Sequence, residues 1–136
     1  MQTAGYSGTP LAKKLGMKEG FKIRLINTPE YYFELFTDML ENISILKDTK
    51  TKKNFIHCFV KEEKELHKNM ASLKNEIEPS GIIWISWPKK ASKVVTDITE
   101  DVVRNLALDN GLVDIKVCAV DEIWSGLKLV IPVKDR

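Results

Sequence analysis

Much of what would settle a function is absent from this chain. Its 136 residues include only two cysteines, two histidines, seven glycines and five prolines. Cys58 and Cys118 each sit in an apolar, strand-like run. Two cysteines in a chain of this length do not make a disulfide framework, so two reduced core thiols are expected, with a bridge as the alternative. His57 and Cys58 are adjacent, and neighbouring residues of a strand point to opposite faces, so they form no nucleophile–base pair. No His and Cys spacing suits zinc, and no metal is expected. No apolar run approaches the roughly twenty residues that cross a bilayer. No signal peptide is visible in Met1 to Pro10, which points to the cytoplasm and away from a membrane. The net charge of +2 is too small to point to nucleic acid. The lysine-rich stretch 47–53 has no aromatic platform beside it, so it reads as a solvated loop.

What is present suits one α/β domain over 1–136, with 1–20 as an N-terminal cap segment. A chain this long buries about two-thirds of its unfolded surface and needs no staples. Thr9-Pro10 opens a short helix that Gly16 closes. Phe21 to Ile26 is a strand, and Asn27-Thr28-Pro29-Glu30 starts a second helix. Tyr32, Phe33, Leu35, Phe36, Met39 and Leu40 give that helix a wide apolar stripe. Ile43 to Leu46 is a short strand, and Asn54 to Val60 is one covered on both faces. Residues 61–78 form the clearest helix, with Leu66, Met70, Leu73 and Ile77 at helical spacing. Pro79-Ser80-Gly81 turns the chain into Ile82–Trp87, the central strand. Thr96 or Thr99 caps a further helix that ends at Gly111. Leu112 to Val120 and Leu127 to Val133 close the chain as a strand pair joined by a turn over 121–126. Strands alternating with helices argue for a mostly parallel sheet with helices on both faces, ending in an antiparallel hairpin at one edge.

Several residues of this order carry a resemblance. The helix 61–78, the turn Glu78-Pro-Ser-Gly81, the strand Ile82–Trp87 and the Asn110-Gly-Leu112 junction before a strand pair resemble the carboxyl half of class I, Rossmann-like methyltransferases. The resemblance implies a three-layer α/β fold. The front half departs from that family. Its members have a glycine-rich turn after the first strand, whereas here Ile26 runs into Asn27-Thr28-Pro29, so S-adenosylmethionine is set aside and no cofactor is expected. Gly5-Tyr-Ser-Gly-Thr-Pro-Leu-Ala-Lys-Lys-Leu-Gly16, Trp84, Pro88-Lys89 and Trp124-Ser-Gly-Leu-Lys128 resemble a family of small bacterial proteins of unknown function. That resemblance implies a bacterial, cytoplasmic protein and no activity.

The chemistry on offer is modest. Carboxyl ends of parallel strands face the binding crevice in open α/β sheets, which draws attention to Trp87, Lys89 and Lys90 after the central strand. Lys89 and Lys90 suit a phosphate or carboxylate; the plainer account is a solvated loop. Ser7 and Thr9 precede a helix amino terminus and could meet an anion, although a structural cap anchored by Tyr6 explains that segment better. Trp124 is a candidate pocket lid or partner contact, and packing alone accounts for it equally. Asp97, Glu100, Asp101, Asp121 and Glu122 read as cap and turn residues before general bases. The sequence thus favours a binding or interaction module without catalysis. The alternative is an enzyme acting on a small anionic ligand held by Asn27, Thr28, Lys89 and Lys90. A homodimer through the edge near Trp124 is a third reading.

Overall fold

The computed structural model describes residues 9–136. The expectations for Tyr6 and Ser7 lie outside the described residues. Six strands form the sheet: β1 (Lys22–Ile26), β2 (Ser44–Ile45), β3 (Lys53–Phe59), β4 (Ile77–Pro88), β5 (Val113–Ala119) and β6 (Trp124–Val130). Their order is β2-β1-β3-β4-β6-β5. The first four run parallel, and β6 runs antiparallel to both β4 and β5. The helices are α1 (Leu11–Leu15), α2 (Glu63–Leu73) and α3 (Glu100–Asp109).

The period-2 alternation of β3 builds two cores at once. Ile56 and Cys58 join Ile83 and Ile85 under Leu66, Met70 and Val103 of α2 and α3. Phe55 and Phe59 join Ile23 and Trp84 on the other face, under Leu11 and Leu15 of α1. The result is the expected three-layer, Rossmann-like arrangement. Both cysteines are free thiols. Among the described residues, no helix is long and apolar enough to cross a membrane.

Several local expectations fail for identifiable reasons. The stripe Tyr32–Leu40 forms no long helix. Only Tyr32–Leu35 is helical, as a 3-10 turn in which Glu34 N–H donates to the Tyr31 carbonyl at 2.9 Å. Consecutive aromatic residues are indifferent helix formers, and tertiary contacts outweigh them here. The Tyr32 hydroxyl reaches His57 Nδ1 inside the core at 3.0 Å. Asp38, further along, is drawn to α1. Its two carboxylate oxygens accept from Ala12 N–H and Lys13 N–H, both at 3.0 Å. That remote carboxylate supplies the cap expected from Thr9, while Pro10 occupies the N-cap position.

The long helix also stops early. α2 ends at Leu73, a 3-10 turn covers Lys74–Glu76, and Ile77 already belongs to β4. Pro79-Ser80-Gly81 is therefore no turn. It is an irregularity inside β4, where pairing jumps from Lys53↔Ile77 to Phe55↔Ile82. The early stop delivers Glu76 to Arg24 and Lys53. Arg24 Nη1 bonds Glu76 Oε1, and Lys53 Nζ stands 3.6 Å from the same oxygen. Lys53, read as a loop residue, is fully buried at the start of β3. Leu108, read as part of an apolar face, is half exposed.

The final hairpin is tighter than expected. Asp121 Oδ1 accepts from Ile123 N–H at 2.8 Å and Trp124 N–H at 2.7 Å, which turns the chain within a few residues. Trp124, Ser125 and Gly126 then pair with Pro88, Trp87 and Ser86. β6 thus lies inside the sheet, and the edge strand on this side is β5, with β2 at the other edge.

Candidate functional site

An open α/β sheet offers a crevice at the carboxyl ends of its strands, where successive connections leave in opposite directions. Here that place is between β1 and β3. β1 leads to β2 on one side, and β3 leads to β4 on the other. A cleft of about 340 Å³ lies there, lined by Asn27, Pro29, Phe59, Lys61, Glu62, Glu65 and Trp124. Asn27 follows β1 directly and adopts φ of 55°. Asparagine is among the few residues other than glycine that take this left-handed conformation readily. Trp124 forms a fixed wall. Its ring meets Phe59 edge to face at 4.9 Å, and its indole donates to the Tyr31 hydroxyl at 3.2 Å. Burial, with Asp121 beside it, raises the Tyr31 pKa above the usual phenol range. Two carboxylates against one lysine leave this cleft acidic.

A second, larger cleft of about 670 Å³ opens beyond β4. Trp87, Lys89, Lys90, Lys93, Thr96 and Ser125 are among its lining. The loop that forms it braces itself. Ser92 Oγ donates to the Lys89 carbonyl at 2.6 Å and accepts from Val94 N–H at 3.2 Å. Thr96 Oγ1 then donates to the Lys61 carbonyl at 2.5 Å, and Asp97 Oδ1 accepts from Glu63 N–H at 2.6 Å. These two bonds pin the loop to the start of α2. Lys93 holds φ of 63°. Burial lowers the Lys89 pKa, opposed by Asp121 and assisted by Lys14. Trp124 lines the first cleft and Ser125, the next residue of β6, the second, on the opposite face of that strand.

The expected residues therefore divide. Asn27 and Trp124 line the first cleft; Trp87, Lys89 and Lys90 line the second. Thr28 and Thr9 line neither, and Ser7 lies outside the described residues. Asn27 and Lys90 do not converge on one ligand, because β3 stands between the strands they follow. Lys93, part of the expected basic loop, joins the second cleft, whereas Phe59, Lys61, Glu62, Glu65 and Ser125 were missed. Position after a parallel strand, the signal that singled out Lys89, applied equally to the end of β3. Four of the carboxylates weighed as bases are otherwise engaged: Asp97 and Asp121 accept backbone N–H groups, and Glu100 and Asp101 meet an arginine. Arg104 binds Glu100, Asp101 at 2.9 Å and Asp114 at 3.0 Å.

A third group of polar side chains lies within the core. His57 bridges Tyr32 and Ser86, with Nε2 2.7 Å from Ser86 Oγ. Burial drives the His57 pKa down to about 3, so the ring is neutral, and raises the Tyr32 phenol. On the opposite face, burial pushes the Cys58 thiol up to about 12. None of these residues lines either cleft.

No family model and no curated protein matches the chain, so the resemblance to a bacterial family of unknown function gains no support. Solved structures do match. A SAM-dependent methyltransferase from Aquifex aeolicus superposes with a TM-score of 0.61 at 16% identity, over 88% of this chain and 87% of that one. A ribosomal protein L11 methylase from Lactobacillus delbrueckii subsp. bulgaricus gives 0.57 at 10% identity, over 88% and 74%. The LepI complex with SAM gives 0.52 at 12% identity, over 89% and 39%. At these identities the likeness is one of fold, and the fold is the Rossmann-like methyltransferase type. It extends through the front half that the sequence set apart.

These neighbours overturn two expectations: a module without catalysis, and the exclusion of S-adenosylmethionine. Both rested on the missing glycine turn after β1. There Asn27 and Thr28 carry side chains where the family's turn is bare, and Pro29 lacks a donor N–H; the fold is kept all the same, with Asn27 in the left-handed conformation that glycine takes freely.

Proposed function

We propose that this chain is a methyltransferase that binds S-adenosylmethionine in the cleft between β1 and β3. The observation that carries the reading is the left-handed Asn27 at the sheet's switch point, facing a wall of aromatic rings and carboxylates. The cleft's residues fit such a ligand. Glu62 and Glu65 suit its cationic sulfonium and ammonium groups. Trp124, backed by the buried Phe59, offers an aromatic edge for a base or a cation. A volume of about 340 Å³ falls within the range of small-molecule sites. When bound, S-adenosylmethionine would supply an electrophilic methyl group and be left as its neutral thioether. Asn27 and Trp124 would orient it, and the two carboxylates would favour the charged form over the neutral product.

Calorimetric titration with S-adenosylmethionine and S-adenosylhomocysteine tests this. Wild type is expected to bind both, and Glu62→Gln with Glu65→Gln is expected to weaken the sulfonium compound more than the thioether. Saturating ligand also raises Tm, since a hundredfold excess over Kd stabilises by about 2.7 kcal/mol. Folded protein that binds neither compound at millimolar concentration would refute the proposal.

A further inference from the structure

We infer that the cleft beyond β4 holds the methyl acceptor, and that this acceptor is a small anion with an apolar body. The inference rests on the methyltransferase reading for the word acceptor, and on the cleft itself for the chemistry. At about 670 Å³ the cleft has room for a whole small molecule. It follows β4 as the Asn27 cleft follows β1 and β3, so both lie at the carboxyl end of the parallel strands, the end at which a donor and an acceptor would meet.

Its charge is unbalanced. Lys89, Lys90 and Lys93 line it, and the lining holds one carboxylate, Glu100. Glu100 is bonded to Arg104, so its charge is already matched within α3. Among the described residues none of the three lysines is held in an ion pair. The remaining walls are apolar. Trp87 and Ile98 form buried surface behind the loop, and Val95 is 91% exposed at its rim. Ser125 has no side-chain hydrogen bond among the described residues and can meet a polar group of the ligand.

Lys93 adds an independent observation. Its φ of 63° is a conformation that glycine takes freely and lysine takes at a cost. Lys93 ends the 3-10 turn Lys90–Ser92, where its N–H donates to the Lys90 carbonyl at 3.3 Å, and this turn sets Lys93 on the lining of the cleft.

The test uses phenyl phosphate, with benzyl alcohol and benzylamine as neutral and cationic counterparts, titrated calorimetrically into wild type and into a Lys90→Ala, Lys93→Gly double variant. Phenyl phosphate is expected to bind wild type, and to lose at least about tenfold in affinity in the double variant. S-adenosylmethionine should change by less than about twofold, since its contacts lie elsewhere. Lys93→Gly alone should raise Tm while weakening phenyl phosphate, a pairing that a purely structural lysine would not produce. Equal binding of phenyl phosphate to wild type and double variant, or benzylamine binding as well as phenyl phosphate, would overturn the inference. S-adenosylmethionine binding without lysine-dependent phenyl phosphate binding would overturn it and leave the methyltransferase reading intact. Lysine-dependent phenyl phosphate binding without S-adenosylmethionine binding would remove that reading, and the acceptor role with it.

Discussion

His57 Nε2 and Ser86 Oγ stand 2.7 Å apart on neighbouring strands, with both side chains fully buried. Tyr32 closes the other side of the ring at 3.0 Å. The arrangement resembles a catalytic relay in its atoms. It differs in its access, since water and ligands reach none of the three. Its consequences are for stability.

The first is a pH dependence. The His57 pKa falls from 6.5 to about 3 on folding. Between those values the unfolded chain binds a proton that the folded chain refuses. The stability due to neutral His57 is complete above about pH 6.5 and declines as pH falls towards 3, by up to about 1.4 kcal/mol per unit. Urea midpoints at pH 7 and pH 5 should show the loss. A His57→Phe variant, whatever its own stability, should lose much of this slope.

Ser86→Ala removes the partner of a buried ring nitrogen. It is expected to cost about 1–3 kcal/mol, the penalty for a buried polar group left unsatisfied. Equilibrium denaturation at pH 7 measures it.

Glu76 is predicted to be more costly. It stands between Arg24 and the fully buried Lys53, and is itself 3% exposed. Glu76→Gln leaves a lysine charge in the core without its carboxylate, which should destabilise by about 3–5 kcal/mol. Arg24→Ala should cost less, because Lys53 keeps Glu76 as its partner. Comparison of the two variants by urea denaturation checks the order.

Asp38→Ala leaves Ala12 N–H and Lys13 N–H without their acceptor. A cost of about 1 kcal/mol is expected, as for an ordinary helix cap. Because the Trp84 indole donates to the Leu15 carbonyl at 2.8 Å, loosening of α1 should also appear in tryptophan fluorescence and in faster amide exchange of residues 11–15.

Gly81→Ala tests the irregularity in β4. A Cβ there would meet Ile77 Cβ at 2.8 Å and the Glu78 carbonyl at 2.9 Å. Overpacking of this kind should cost about 1–3 kcal/mol, read as a lower thermal midpoint.

What could be read from the sequence was what depends on near neighbours in the chain. The run Ile82–Trp87 announces a buried strand because β-branched and aromatic residues suit nothing else so well. The helix built on Leu66, Met70 and Leu73 is announced by its spacing. Lys53 was misread because a lysine is buried only when its partner arrives, and Glu76 and Arg24 come from either side of it in the chain. Tyr32 was misread as part of a helical stripe because its partner, His57, lies on a strand. At the site, Lys89 and Lys90 stand out as the charges after a strand. Glu62 and Glu65 do not, since acids at a helix start have an ordinary explanation in the dipole. The run Asn27-Thr28-Pro29 shows no glycine, and residue type alone does not show that Asn27 takes a left-handed backbone.

The place of β6 within the sheet has a consequence for biosynthesis. β4 is the centre of the fold, and one of its edges is covered only by β6. While the ribosome is still making residues 89–130, the run Ile82-Ile83-Trp84-Ile85 waits with that edge open. Such segments, β-prone and uncharged, are templates for intermolecular pairing. At about 5–20 residues per second the exposure lasts seconds, long compared with collisions between nascent chains. Yield in the cell should therefore depend on chaperone supply and growth temperature more than the finished protein's stability would suggest.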